Sequence, residues 1–203
     1  MTATVPAGVF DVLRDQVAIR PGATALVTRA GRWSYAELDD LADRAAGALQ
    51  LLGIRPGDRV AASLPNDVDV VAAFHGAMRL GAVWVGINQA LAPPEKAFML
   101  EDCDASVVLA DDAVAESMSQ AAGRGIVYAA RTVGPAEWAE ALAASPGRSD
   151  GPDPDPDAPA AIAYTSGTTG FPKGAVHAQA GLVLPGAATV ASRGWGPSLR
   201  KGD

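Results

Sequence analysis

The residues best suited to chemistry lie in one short segment, residues 164–174, which reads Y-T-S-G-T-T-G-F-P-K-G. Its hydroxyl groups belong to Thr165, Ser166, Thr168 and Thr169, and its glycines are Gly167, Gly170 and Gly174. Glycine lets a backbone approach a ligand closely, and Lys173 adds one positive charge. Backbone N–H groups, hydroxyls and a cation together hold phosphate oxygens. The segment therefore predicts a loop that binds nucleotide phosphates.

Three other interpretations of this segment are less consistent with its residues. A surface turn with a chance lysine would not need so many small residues directly after an apolar strand. A Walker A loop has Ser or Thr after its Gly-Lys pair, whereas Lys173 lies between Pro172 and Gly174. A dinucleotide-binding fingerprint would need G-x-G-x-x-G at the start of an early helix, and the sequence has none.

The remaining reactive side chains favour structural roles. Cys103 is the only cysteine, so no intrachain disulfide can form, and we expect a small buried side chain in a reducing compartment. His75 falls within a predicted helix and is expected to be structural. For His177, a position near the nucleotide and a packed or solvent-facing position both stay open. We predict no metal-ligand cluster.

The composition limits the classes of partner. Apolar residues make up 49% of the 203 residues and the net charge is −7, which indicates a folded protein and argues against nucleic-acid binding. The N-terminus lacks the pattern of a signal peptide. The most apolar stretch, residues 70–87, is interrupted by His75 and Arg79 and is a poor membrane span. We expect a cytoplasmic protein.

Helical and strand patterns alternate along the chain. A capping box at Ser34 and Glu37 begins the first predicted helix, and Gly53 ends it. The other predicted helices are 68–80, 93–101 and 113–122. The predicted strands are 59–64, 83–87, 106–110, 125–129 and 160–165. This alternation predicts a three-layer α/β unit, a parallel sheet flanked by helices.

A change in composition divides the chain. Residues 145–159 contain five prolines and four aspartates, a composition that favours an extended, solvated linker. We therefore expect an α/β subdomain at 1–144, a linker at 145–159, and the start of a second subdomain with the phosphate loop at 160–203.

The loop resembles the signature of the adenylate-forming superfamily, which includes acyl-CoA synthetases, luciferase and peptide-synthetase adenylation domains. The resemblance continues upstream in W-S-Y-A-E-L at 33–38, G-I-R-P-G-D-R-V-A at 53–61, L-P-N at 64–66 and G-A-M-R-L-G-A-V-W-V-G-I-N at 76–88. The segment around Asn88, Leu91, Pro93 and Glu95 is most similar to the acyl-CoA synthetase branch.

This resemblance implies an ATP-dependent carboxylate-activating ligase, which forms an acyl-adenylate and then an acyl-CoA. It implies phosphate contacts for the loop residues, namely Thr165, Ser166, Gly167, Thr168, Thr169, Gly170 and Lys173. It also implies ATP, a carboxylic acid and coenzyme A as partners, with Mg²⁺ held mainly through the phosphates. Fatty, aromatic and small organic acids all stay open.

Two departures from the family pattern limit these implications. The family often has a histidine where this chain has Gln179, with His177 two residues earlier. Family members are also more than twice as long, and we find no catalytic residue of theirs here. We therefore expect an N-terminal fragment of the large domain, inactive by itself. The alternative is a non-catalytic nucleotide-binding or interaction module, which could self-associate through exposed apolar surface.

Overall fold

The structure is a computed structural model that describes residues 6–147, 153–165 and 172–185. Its helices are α1 (Val12–Ile19), α2 (Tyr35–Leu51), α3 (Val68–Leu80), α4 (Pro93–Asp102), α5 (Asp112–Ala122) and α6 (Pro135–Ala144). Its strands are β1 (Thr24–Val27), β2 (Arg32–Ser34), β3 (Arg59–Ser63), β4 (Val83–Gly86), β5 (Ala105–Ala110), β6 (Arg131–Val133), β7 (Pro159–Thr165) and β8 (Lys173–Ala178).

A six-stranded sheet forms the middle layer, with strand order β6-β5-β3-β4-β7-β8. The pairs from β6 to β7 are parallel, and only β8 is antiparallel, to β7. Strands β1 and β2 form a separate antiparallel hairpin. The predicted three-layer α/β fold with a parallel sheet is confirmed.

Helices cover the two faces of the sheet in different sets. Val60, Ala62 and Leu109 point to one face, where they join buried residues of α2, α3 and α6. Ala61 and Val108 point to the other face, where they join buried residues of α4 and α5. Side chains alternate between the faces of a strand, so both faces of β3 and β5 are apolar, as expected for buried parallel strands.

Local signals account for the ends of the predicted helices. Ser34 accepts a hydrogen bond from the backbone of Glu37, and the Glu37 carboxylate accepts one from the backbone of Ser34, which confirms the predicted capping box. Asp67 caps α3, and Gly81 ends that helix in the left-handed conformation.

One predicted strand is wrong. Residues 125–129 contain no strand, and the sixth strand of the fold lies further on, at Arg131–Val133. Gly125 has a φ of 94°, and Ile126 donates its backbone N–H to Ala121 at the end of α5. Val127 is 83% exposed. Gly125 and Ile126 therefore belong to the turn that ends α5, because their backbone N–H groups donate to carbonyls of that helix.

The described part of the Pro/Asp-rich segment lies against the fold. Pro154 and Pro156 are half-buried, while Pro146, Pro159 and the described aspartates of the segment are exposed. Asp153 accepts a 2.9 Å hydrogen bond from Arg14, and the carbonyl of Pro156 accepts one from the backbone of Ala180. Beyond this segment, β7 pairs with β4 in the same sheet as the earlier strands.

Candidate functional site

The two ends of the predicted phosphate loop are neighbours in the structure. Strands β7 and β8 form a hairpin in which Thr165 pairs with Lys173, the last pair before the segment that connects the two strands. Both residues are exposed. Ser166, Gly167, Thr168, Thr169 and Gly170 lie outside the described residues. The structure thus brings a hydroxyl and an ammonium group to the same end of one hairpin.

Strand register places Thr165 and Lys173 on one face of the sheet. Directly paired residues project to the same face, and every second residue of a strand returns to it. Ala161 pairs with Trp84, which packs against the core under α2 and α3. Thr165 is four residues beyond Ala161, so it faces the same side, together with its partner Lys173.

This end of the hairpin belongs to the edge of the sheet where the parallel strands finish. Val85 of β4 pairs with Ile162 of β7. Thr165 is three residues beyond Ile162, and Asn88 is three residues beyond Val85, so both lie at the same end of the two strands. A cleft of about 350 Å³ opens at the same edge. It is lined in part by Asn66, Trp84, Asn88 and Gln89. Open α/β sheets bind their ligands at this edge.

The turn after β4, which lines the cleft, is held by side chains from two other elements. Lys96 of α4 is only 5% exposed, and its Nζ donates to the carbonyls of Gln89, at 2.8 Å, and Leu91. Gln89 in turn donates to the Asp111 carboxylate at 2.6 Å. Burial lowers the pKa of the Lys96 ammonium. Lys96 thus stabilises the turn after β4 through hydrogen bonds to its backbone carbonyls.

Tyr164 connects the hairpin to α4. Its hydroxyl donates a 2.6 Å hydrogen bond to the Asp102 carboxylate, and its ring packs in the apolar cluster under α4 and α5. Burial and this hydrogen bond raise the pKa of Tyr164. Gly174 is paired with Tyr164, and a Cβ built on it would lie 3.3 Å from the tyrosine ring and 2.7 Å from Ile162.

Sequence reasoning did not identify Lys96, Asp102 or Asp111 as supports of this edge. Asp102 and Tyr164 are 62 positions apart, and the chain carries no local pattern that connects them. Tyr164 is the first residue of the motif at 164–174, but its type and position there predict no role. Tyr164 and Asp102 come together because β7 pairs with β4 in the sheet and α4 packs on the face to which Tyr164 points.

The residues near the expected family histidine have different environments. Gln179 is only 1% exposed, and its Nε2 donates to the carbonyl of Met78 at 2.9 Å. His177 is an exposed residue of β8, paired with Ala161, and register places it on the face that carries Thr165. Gln179 is therefore a packing residue.

Metal-binding clusters and membrane-spanning helices are both absent from the part of the chain that the structure describes. No group of three or more His, Cys, Asp or Glu side chains is arranged to hold a metal ion in the described ranges. Over the same ranges, every helix is too short or too polar to cross a membrane.

The fold described above agrees with comparisons to known proteins. The family of AMP-binding enzymes matches residues 13–198, and the chain belongs to this family. It is 38% identical to the long-chain-fatty-acid–CoA ligase FadD13 of Mycobacterium tuberculosis over 172 residues, which cover 82% of this chain and 34% of that protein. It is 34% identical to an indoleacetate–CoA ligase of Aromatoleum aromaticum, over 81% of this chain and 33% of the relative.

A solved structure supports the same assignment. The ATP-bound crystal structure of MatB from Rhodopseudomonas palustris superposes with a TM-score of 0.78 at 31% identity, covering 91% of this chain and 37% of that one. The chain therefore has the fold of the N-terminal part of such enzymes and spans about a third of the length of the curated relatives that it matches.

Proposed function

We propose that this chain supplies the phosphate-binding part of an ATP-dependent carboxylate-activating ligase. The observation that supports this most directly is the pairing of Thr165 with Lys173 at the strand-end edge of the sheet. Both side chains are exposed on one face, where a hydroxyl and a cation can contact the same phosphate chain.

In the proposed reaction, ATP transfers its adenylyl group to a carboxylate, and coenzyme A then takes the acyl group. Thr165 and Lys173 contact the β- and γ-phosphates, assisted by Ser166, Gly167, Thr168, Thr169 and Gly170. The Lys173 ammonium stabilises negative charge as it accumulates on the leaving pyrophosphate. Mg²⁺ enters with ATP and is held mainly by the phosphates.

The remaining assignments follow from family membership. We infer that the acid is one of those that AMP-binding ligases activate, with fatty acids as the first class to test because FadD13 is named for them. We place the activity in the cytoplasm, where ATP and coenzyme A are available. The division at residues 145–159 is retained as a proposed boundary between two subdomains.

Calorimetric titration of the 203-residue chain with ATP and MgCl₂ tests the phosphate contact. We expect saturable binding that Lys173→Met weakens about tenfold or more, because a hydrogen bond between charged groups contributes about 1.5–3 kcal/mol. The methionine side chain has similar length and no charge, so the substitution removes mainly the cation.

Arg55→Met is the matched control. Arg55 is exposed, and it precedes β3 at the opposite edge of the sheet, so its loss changes the net charge equally without touching the hairpin. Equal weakening by both substitutions would indicate a general charge effect and contradict a specific contact at Lys173.

A second candidate function, a nucleotide-binding or interaction module without catalysis, is favoured by exposed apolar surface. Val176 of β8 is 61% exposed, and with Ile162 it lines a cleft of about 640 Å³ away from the phosphate edge. Sedimentation of the chain with and without ATP separates the two functions. Self-association that Val176→Ser abolishes, without any ATP binding, would favour the module.

A further inference from the structure

The phosphate contact proposed above needs Thr165 and Lys173 to stay in register, although they form the terminal pair of an edge hairpin, next to the segment that connects its two strands. Every residue from Lys173 to His177 is exposed, and β8 pairs with a single strand among the described residues. The ends of edge strands open more readily than the core of a sheet. A side chain that fixes this end would therefore influence phosphate binding without touching the phosphate.

Tyr164 is positioned to do this because it spans three elements. Its backbone lies in β7 next to Thr165, its ring packs beside Gly174 of β8, and its hydroxyl donates to Asp102 at the end of α4. The hydroxyl is also 3.4 Å from the Met99 carbonyl of the same helix. The only part of this linkage that would be lost in phenylalanine is the hydrogen bond to α4.

Gly174, which pairs with Tyr164, leaves room for the tyrosine ring. The Cβ of any other residue would meet Ile162 at 2.7 Å and the ring of Tyr164 at 3.3 Å, distances that displace one side chain or the other. A glycine opposite an aromatic residue lets the ring lie across the neighbouring strand. The ring therefore reaches both strands directly below the Thr165–Lys173 pair.

We propose that Tyr164 is a positioning residue for nucleotide phosphate: by linking β7 and β8 to Asp102 of α4, it holds Thr165 and Lys173 in phosphate-binding geometry. This inference rests on the function proposed above. It assigns no contact between Tyr164 and the nucleotide.

Hydrogen–deuterium exchange of the backbone amides in β7 and β8 tests the linkage without any ligand. In Tyr164→Phe we expect exchange of the amides at 173–176 to rise about fivefold, the ratio for loss of one hydrogen bond at a protein surface. Tyr128→Phe is the matched control. The Tyr128 hydroxyl is buried without a partner among the described residues, and its ring packs in the same apolar cluster.

Asp102→Ala removes the acceptor and leaves the core intact, so it keeps the test valid if Tyr164→Phe folds poorly. Glu101→Ala is its control. Glu101 is exposed, and its substitution removes the same charge from the same end of α4. We expect the backbone amides of the double variant Tyr164→Phe/Asp102→Ala to exchange no faster than those of either single variant. Both substitutions remove the same hydrogen bond, so the second has nothing further to break.

Titration with ATP and MgCl₂ measures the Kd for ATP, which would not change if Tyr164 only stabilised the fold. We expect Tyr164→Phe and Asp102→Ala to raise the Kd about three- to fivefold, while Tyr128→Phe and Glu101→Ala leave it unchanged. Faster exchange with an unchanged Kd overturns the inference. So does exchange equal to that of the unsubstituted chain, whether or not ATP binds. Failure of the unsubstituted chain to bind ATP counts against the proposed function, and it appears in a different measurement.

Discussion

At the scale of single residues, His75 gives the clearest dependence on pH. Its ring is half-buried in α3 and lies edge-on to Phe74, with ring centroids 5.3 Å apart. Burial, with a further contribution from the positive charge of Arg79, lowers the pKa of His75 from 6.5 to about 4. Asp39 opposes this shift but does not reverse it.

This lowered pKa predicts that the fold loses stability in mild acid. Below pH 6.5 the unfolded chain protonates His75, whereas the folded chain keeps it neutral until about pH 4. The unfolded state therefore binds more protons, and its relative free energy falls as the pH falls. We expect this one group to reduce the free energy of unfolding by about 2 kcal/mol between pH 7 and pH 5.

Urea unfolding at several pH values measures this effect. His75→Gln should flatten the decline between pH 7 and pH 5, because glutamine does not titrate in this range. His177→Gln, which removes the chain's other histidine from an exposed position of β8, should leave the decline in place. A decline that is unchanged in His75→Gln would show that other groups cause it.

Residues also differ in how far the sequence revealed them. The segment around Thr165 and Lys173 was recognised because its signal is local: hydroxyls, glycines and one lysine within nine positions. Whether these residues bind phosphate stays a prediction. Tyr164, Asp102 and Lys96 support the site only through contacts across the fold. Tyrosine, aspartate and lysine occur in so many surface and packing positions that the residue type alone does not predict such contacts.

At the scale of elements, the packing of α2 against α3 depends on small side chains. Gly76 of α3 faces α2 so closely that a Cβ would lie 2.6 Å from the Cβ of Ala45 and 2.7 Å from the backbone nitrogen of Ala46. Ala45, Ala46 and Ala77 are almost completely buried at this contact. Arg79 adds an ion pair across the same two helices, with Asp43 at 2.6 Å.

Gly76→Ala should therefore destabilise the fold, although alanine favours helix. The helical preference contributes about 1 kcal/mol, while overpacking against a backbone that cannot move aside costs about 1–3 kcal/mol. We expect a net loss of about 1 kcal/mol, the middle of the resulting range, and a fall in Tm of about 3 °C for a chain of this size.

Thermal unfolding followed by circular dichroism measures this loss. Gly22→Ala is the control, because a Cβ at Gly22 meets nothing within 4 Å and its φ is not positive. A Tm that rises in Gly76→Ala would show that the two helices can separate slightly and that helical preference decides the outcome.

The elements that the sequence predicted well are those with local boundary signals. Helix α3 was predicted with its observed bounds because a capping residue, Asn66 or Asp67, and Gly81 mark its ends; in the structure the cap is Asp67. Helices α1 and α6, the hairpin β1–β2 and strand β8 were not predicted. Strand β8 reads K-G-A-V-H-A, a weak strand pattern, and it forms because β7 offers a partner along six residue pairs. Pairing between distant or weakly patterned segments leaves no signal within either segment alone.

At the scale of the whole molecule, the chain spans about a third of the length of its ligase relatives, and the site proposed for it involves only the phosphates of the nucleotide. Positioning of all reactants supplies much of the rate in group-transfer reactions. A chain that holds only the phosphates leaves the acid and the rest of the nucleotide to other residues. We therefore expect no measurable acyl-CoA formation by the 203 residues alone.

A chimera tests whether the chain is a competent part of such an enzyme. In it, the matched third of FadD13 is replaced by the corresponding residues of this chain, which are 38% identical to it. We expect acyl-CoA formation from a long-chain fatty acid, ATP and coenzyme A, measured by mass spectrometry, because residues 13–198 match the family of AMP-binding enzymes. Lys173→Met in the chimera should lower kcat/KM for ATP about tenfold or more.

The two arms of this experiment answer different questions. A folded chimera that forms no acyl-CoA, beside an active unaltered FadD13, would show that this sequence cannot replace its relative and would count against the ligase function. An active chimera whose kcat/KM for ATP is unaffected by Lys173→Met would keep the ligase function and remove the role proposed for Lys173. Because β4, β7 and β8 must keep their register for Thr165 to face Lys173, activity in the chimera would also show that this sheet edge assembles correctly beside foreign sequence.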